Sequence, residues 1–195
     1  GSKFLNSGVG FGGSCFKKDI LNLIYLSNYY GLREVALYWG QVLEMNSWQA
    51  KRLSKIIVEK LFRTLTNKKI AILGFAFKAN TNDTRESPAI EVCKSLIDEG
   101  ANLSIYDPKV NEDQISKDLK QEHKKESVLY HSEGFWEHTE NISNASKNAD
   151  AIVILTDWQE FRNINWFEIS KNMRTPSWVF DFRNIINIDE AKKYG

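Results

Sequence analysis

Lys68 to Pro108 reads KKIAILGFAFKANTNDTRESPAIEVCKSLIDEGANLSIYDP. Its first apolar run, Lys69 to Leu73, is short and stops at Gly74, as a strand buried on both faces does. Ser87 and Pro88 suit an N-cap and a first helical turn, and Ile90, Leu96 and Ile97 follow at helical spacing, so Pro88 to Glu99 reads as a helix. Asn102 to Tyr106 is a second short strand. A strand, a crossover helix and another strand form the repeating unit of a parallel sheet. Two more runs, Ala151 to Leu155 and Trp178 to Phe182, continue the alternation, which predicts an open, doubly wound, Rossmann-like parallel sheet. Lys109 to Asn148 is polar, gives no clear element and holds all three histidines, His123, His131 and His138.

Upstream of Thr66-Asn67 the pattern is helical. From Arg33 to about Arg63 only Gly40 interrupts, and Val35, Trp39, Val42, Leu53, Ile56, Ile57 and Leu61 recur near helical spacing. Either one helix of roughly 45 Å runs through, long enough to bridge domains or subunits, or two helices break near Gly40. Lys17 to Tyr30 forms a shorter helix ended by Gly31, and the residues before it are an irregular, glycine-rich loop. The expected fold class is therefore α/β: a partial all-α part with a long helix over residues 1–65, then the parallel-sheet domain over 66–195.

Composition narrows the function. Lysine plus arginine number 26 against 25 acidic residues, a net charge of +1, which leaves no global field to draw in nucleic acid or an anionic membrane. No apolar run approaches the roughly 20 residues of a membrane span and no signal peptide opens the chain, so a cytoplasmic location is expected. Two cysteines, Cys15 and Cys93, suit a reducing compartment better than a disulfide framework. Gly1-Ser2 has the composition of a tag-removal scar, which natural residues can also have. The histidines lie at no metal-like spacing, so no metal is expected. Trp136, Trp158 and Trp166 are scattered in a charge-balanced chain and read as packing residues.

Several residues could carry chemistry. Gly8 to Gly13, GVGFGG, matches a dinucleotide fingerprint in form only, because Lys3 to Ser7 is too short and polar to be the buried strand that must precede it. The turn at Gly74 lacks the fingerprint's second and third glycines. Cys15 follows the glycine loop at a helix amino end with Lys17 and Lys18 close behind, a setting that stabilises a thiolate. Asp19, one turn on, shares its face and could orient water or act as a base. A small buried thiol beside a solvated acid would give the same pattern. Cys93 lies among apolar helix positions and reads as core. Lys78 and Arg85 surround the carboxyl end of a strand, where open α/β sheets bind ligands, and could hold a diphosphate; the alternative is a solvated loop with Arg85 paired to Asp83 or Glu86. Arg183 ends the last strand on the same edge, facing that ligand or paired with Asp181.

Taken together, GVGFGGSCFKKD and GFAFKANTNDTRESP resemble, in order and separation, two signature segments of the UDP-glucose and GDP-mannose dehydrogenase family. The continuation ILNLIYLSNYYGL is most similar to the animal-type UDP-glucose enzymes. The resemblance implies a helical dimerisation domain followed by a UDP-binding domain, with the family's NAD-binding domain upstream of Gly1. It implies oxidation of UDP-glucose to UDP-glucuronate in two hydride transfers to NAD, through a cysteine thiohemiacetal and thioester. Cys15 then matches the nucleophile and Asp19 the acid that assists water. Asn6, Ser7, Gly8, Val9, Gly10, Phe11 and Gly12 match the segment around the sugar nucleotide, and Phe77, Lys78 and Arg183 match further substrate contacts. Phe16, Lys17, Lys18 and Arg85 match residues near NAD. The implied partners are a UDP-sugar and further copies of the chain joined through the long helix. Phe182 departs from the usual glycine, and Ala79, Asn80 and Asn82 from lysine, aspartate and glycine. Other readings are a GDP-mannose or related sugar-nucleotide dehydrogenase, or a catalytically silent binding and oligomerisation module.

Overall fold

The computed structural model describes residues 7–120 and 134–194. A loop over residues 7–13 leads into α1 (Ser14–Tyr29), which begins three residues earlier than the apolar spacing indicates, so that Cys15 lies in its first turn. Gly13 stands at the N-cap with φ +83°, a conformation that suits glycine. At the other end Gly31 takes φ +75°, and the Leu32 N–H donates to the Ser27 carbonyl, closing the helix as a glycine C-cap does. The long helix is one piece, α2 (Arg33–Lys60), with Gly40 inside it.

Five parallel strands follow: β1 (Lys69–Leu73), β2 (Asn102–Tyr106), β3 (Phe135–His138), β4 (Ala151–Ile154) and β5 (Trp178–Asp181). Their order is β3-β2-β1-β4-β5, so the chain winds outward in both directions from β1. Connecting them are α3 (Pro88–Asp98), α4 (Glu112–Leu119), α5 (Ile142–Ser146), α6 (Trp166–Asn172) and, after β5, α7 (Ile188–Ala191). The fold is a mixed α/β one with a Rossmann-like parallel sheet, as the alternation predicts. Ser87 caps α3 by accepting the Ala89 N–H, and Pro88 fills the first position.

The strand that the polar segment conceals is β3. It is an edge strand in which only Trp136 is buried, so FWEH lacks the apolar run that marks β1 and β4. Residues 121–133, with His123 and His131, lie outside the described part. β4 and β5 each end one residue sooner than expected.

Ile70 to Leu73 and Ala151 to Ile154 are almost fully buried, and Ala50, Leu53 and Ile57 of α2, with Leu61 just past its end, enter the same core. Trp136, Trp158 and Trp166 are buried packing residues, and Cys93 has no exposed surface, its burial pushing the thiol up. Phe182, in the place of the expected glycine, stacks on Phe180, which stacks on Trp178. Parts of α1 and α2 contrast with this core: Tyr25, Leu37, Tyr38, Met45 and Trp48 are each more than half exposed.

Candidate functional site

In a doubly wound sheet the crevice opens at the carboxyl ends of the strands where the winding reverses. Here that point lies between β1 and β4. Gly74, just past β1, takes φ +93°, and a Cβ there would come within 2.4 Å of the Thr156 side chain past β4, so the two loops approach as closely as glycine allows. The turn after Gly74 is pinned on every side. Its Phe75 and Ala76 N–H groups donate to Asp107 Oδ2 at 2.7 and 3.0 Å, and their carbonyls accept from Ser87 and Thr156, both at 2.7 Å. Asp107 Oδ2 also accepts the Trp158 indole N–H, while Oδ1 accepts the Lys109 and Val110 N–H groups. One buried carboxylate thus gathers loops from β1, β2 and β4. Beside it the Tyr106 hydroxyl donates to Glu160, and burial together with that charge pushes it up to about 12.

Phe77 and Lys78 follow this pinned turn. The Lys78 ammonium lies 5.2 Å from the Phe77 ring centre, and the glycine loop packs on the same residue. A Cβ on Gly13 would come within 2.9 Å of the Phe77 ring, and one on Gly12 within 2.6 Å of the Glu86 carbonyl oxygen. The Gly13 N–H donates to the Arg85 carbonyl at 2.9 Å. At the loop's other end a Cβ on Gly8 would come within 2.7 Å of Arg183 Nη1. The structure therefore brings Gly8, Gly12, Gly13, Phe77 and Arg183 onto one surface. Asn6 lies outside the described residues; Val9 is buried beneath the loop and Ser7 is exposed.

Arg183 is not paired with Asp181 through its side chain. Its guanidinium bonds Asp157 at 3.1 Å, and Asp181 is occupied with the backbone N–H groups of Arg183, Ile185 and Ile186. Asp181 terminates β5 and caps the turn behind it, which leaves the Arg183 side chain to Asp157 of the neighbouring β4 loop, a contact that sequence spacing cannot show. Arg85 bonds Asp83 through two hydrogen bonds of 2.9 and 2.7 Å. This holds the Asp83 carboxyl below the usual carboxylate range, with Lys78 adding a smaller push. Arg85 is raised by that hydrogen bond and by the Asp83 charge, with a lesser contribution from Cys15. Lys17 pairs with Glu86 at 2.6 Å.

Cys15 is exposed, which removes the buried-thiol alternative, and Cys15, Phe16, Lys18 and Asp19 all reach solvent on the first turns of α1. Phe16 meets Phe11 edge to face at 4.6 Å, joining the helix to the glycine loop. Behind that loop stand two residues of α2 that the sequence does not single out, Asn46 and Gln49, both bonded to its backbone. A heavily polar position on an otherwise apolar helix face was the one available signal.

For a dinucleotide the chain has no cradle among its described residues. The turn after Gly74 has side chains where the fingerprint needs glycines, and Asp107 is engaged by protein donors. Phe16, Lys17 and Lys18 lie on the first turns of α1 and Arg85 beside them, with Lys17 paired to Glu86 and Arg85 to Asp83. No group of three or more His, Cys, Asp or Glu that could hold a metal ion occurs among the described residues, and no helix there is long and apolar enough to cross a membrane.

Two family models match the chain: the UDP binding domain of the UDP-glucose/GDP-mannose dehydrogenase family over residues 71–188, and that family's central domain over residues 1–48. UDP-glucose 6-dehydrogenase 2 of Arabidopsis thaliana is 47% identical over 212 aligned positions, covering all of this chain and 42% of that protein. The UDP-glucose 6-dehydrogenase of Drosophila melanogaster is 48% identical over 202 positions, covering all of this chain and 41% of that protein. Over the whole chain the plant and fly relatives thus match about equally. The solved UDP-glucose dehydrogenase of the hyperthermophilic archaeon Pyrobaculum islandicum is 26% identical with a TM-score of 0.72, over 99% of this chain and 38% of that one. The chain spans about two fifths of the length of these curated relatives.

Proposed function

Because the chain belongs to the UDP-glucose/GDP-mannose dehydrogenase family, we propose that it is the substrate-holding part of an NAD-dependent UDP-glucose 6-dehydrogenase, with Cys15 as nucleophile. The observation that carries this reading is the continuity of one surface. The loop that packs on Phe77 and Arg183 runs directly into the helix turn that exposes Cys15. A nucleotide sugar lying along the sheet edge can keep its UDP on Phe77, Lys78 and Arg183 while its sugar lies under Ser7 to Gly12, beside the thiol.

Covalent capture suits the overall oxidation of a hydroxymethyl group to a carboxylate. Loss of a first hydride from the hydroxymethyl carbon and of the hydroxyl proton leaves an aldehyde, to which the Cys15 sulfur adds to give a thiohemiacetal; loss of a second hydride from that carbon gives a thioester, which water cleaves to the carboxylate and the free thiol. Asp19, on the same helix face, holds or deprotonates that water. NAD, when bound, supplies the hydride acceptor, and Phe16, Lys17, Lys18 and Arg85 are this chain's contacts to it. We read residues 1–65 as the end of the helical dimerisation domain and 66–195 as the UDP-sugar domain. With no dinucleotide cradle among its described residues, this chain alone is expected to be silent in turnover. Two free thiols fit a reducing, cytoplasmic setting.

A ligand that binds the native state raises its melting temperature. UDP-glucose is expected to stabilise this chain more than GDP-mannose at equal concentration in a thermal shift. A larger shift with GDP-mannose would transfer the assignment to that substrate. The exposed apolar side chains of α1 and α2 form the kind of surface that oligomers bury, so the chain is expected to form homodimers or assemblies of dimers through α2. Analytical ultracentrifugation checks this, and a monomer at all accessible concentrations contradicts it.

A further inference from the structure

The loop over residues 7–13 holds four glycines, whose backbones lose the most freedom on being ordered. Its position is set from α2. The Asn46 amide meets both polar groups of Phe11: Oδ1 accepts the Phe11 N–H at 2.8 Å, and Nδ2 donates to the Phe11 carbonyl at 3.0 Å. Nearly one turn further along α2, Gln49 Nε2 donates to the Gly8 carbonyl at 3.1 Å. Gly10, at φ +115°, lies between these two anchors, and a Cβ there would come within 2.7 Å of Asn46 Oδ1, so the amide reaches Phe11 only past a glycine. Phe11 and Asn46 line both neighbouring cavities, of about 550 and 560 Å³, which makes their contact part of the wall between them.

We infer that Asn46, seconded by Gln49, is the positioning residue of the sugar-nucleotide loop. It acts through the backbone of Phe11 and Gly8, holding the loop against Phe77 and Arg183 before any ligand arrives, so that binding does not bear the entropy of ordering four glycines. The role rests on reading Ser7 to Gly12 as the substrate loop. The two-point geometry explains why an amide stands there: alanine offers neither bond, and aspartate keeps the acceptor for the Phe11 N–H while losing the donor.

Two measurements on Asn46→Ala, Asn46→Asp and Gln49→Ala test it: amide hydrogen exchange of the ligand-free chain, and UDP-glucose affinity by calorimetry. In Asn46→Ala the Phe11 amide is expected to exchange about tenfold faster and UDP-glucose to bind about tenfold more weakly, the effect of losing one to two such hydrogen bonds. Asn46→Asp should fall between this variant and the unmodified chain, and the melting temperature should stay within about 4 °C. Unchanged exchange at Phe11 overturns the clamp. A freed loop with unchanged UDP-glucose affinity overturns the positioning role alone. Failure of the unmodified chain to bind UDP-glucose overturns the substrate reading and the role that rests on it, and is distinguished from the other two results by being seen without any substitution.

Discussion

At the scale of single residues, the site depends on which positions can do without a side chain. Gly12 is the tightest of the loop glycines against backbone: a Cβ there meets the Glu86 carbonyl at 2.6 Å and Phe77 Cβ at 2.8 Å, and neither can swing away as the end of a flexible side chain could. Gly12→Ala must therefore lift the loop from Phe77. Overpacking of this kind costs about 1–3 kcal/mol, and we expect UDP-glucose affinity to fall at least about tenfold in calorimetry. Unchanged affinity would mean that the loop does not meet the sugar nucleotide. The candidate residues were legible in the sequence because such chemistry has a local signature: a cysteine after glycines and at a helix start, a cation after a strand. Their partners were not. Asp157 lies 26 residues from Arg183, and Asn46 lies 35 from Phe11. Asp107 gives no sign in YDP of the five donors it gathers, since those come together only when three strand ends do.

At the scale of elements, what could be read depended on burial. β1, β2 and β4 stand at the centre of the sheet, and their apolar runs made them plain; β3 and β5 are both edge strands with one buried side chain, and β5 could be read because Trp178 to Phe180 still form an apolar run, which FWEH of β3 does not. Boundaries moved by one to three residues, as at α1, where Ser14 to Phe16 join the helix without an apolar signal. The open choice in the helical part was whether Gly40 breaks it, and α2 runs through unbroken. Among the described residues a Cβ at Gly40 would meet nothing within 4 Å. Gly40→Ala is therefore expected to stabilise the fold by about 1 kcal/mol through helix propensity. That should raise the melting temperature by about 2–4 °C in a protein of this size. A fall would mean that another surface packs closely on Gly40, which the isolated chain does not show.

At the scale of the whole molecule, α1 and α2 carry the glycine loop and the thiol, and the sheet carries the pinned turn, Phe77 and Arg183. The site exists only where they meet. The family was legible because both signature segments fall within the chain, and the shared core of α2 with the sheet explains why they meet at a fixed place. On the proposed reading Cys15 is the nucleophile of a UDP-glucose oxidation. Its most direct test is UDP-glucose-dependent NADH formation by the full-length protein carrying Cys15→Ala, with UDP-glucose binding measured in parallel. Turnover is expected to fall by about 10³-fold or more while binding changes little, as for loss of a group needed only in the chemical steps. NADH formation at the normal rate would contradict it.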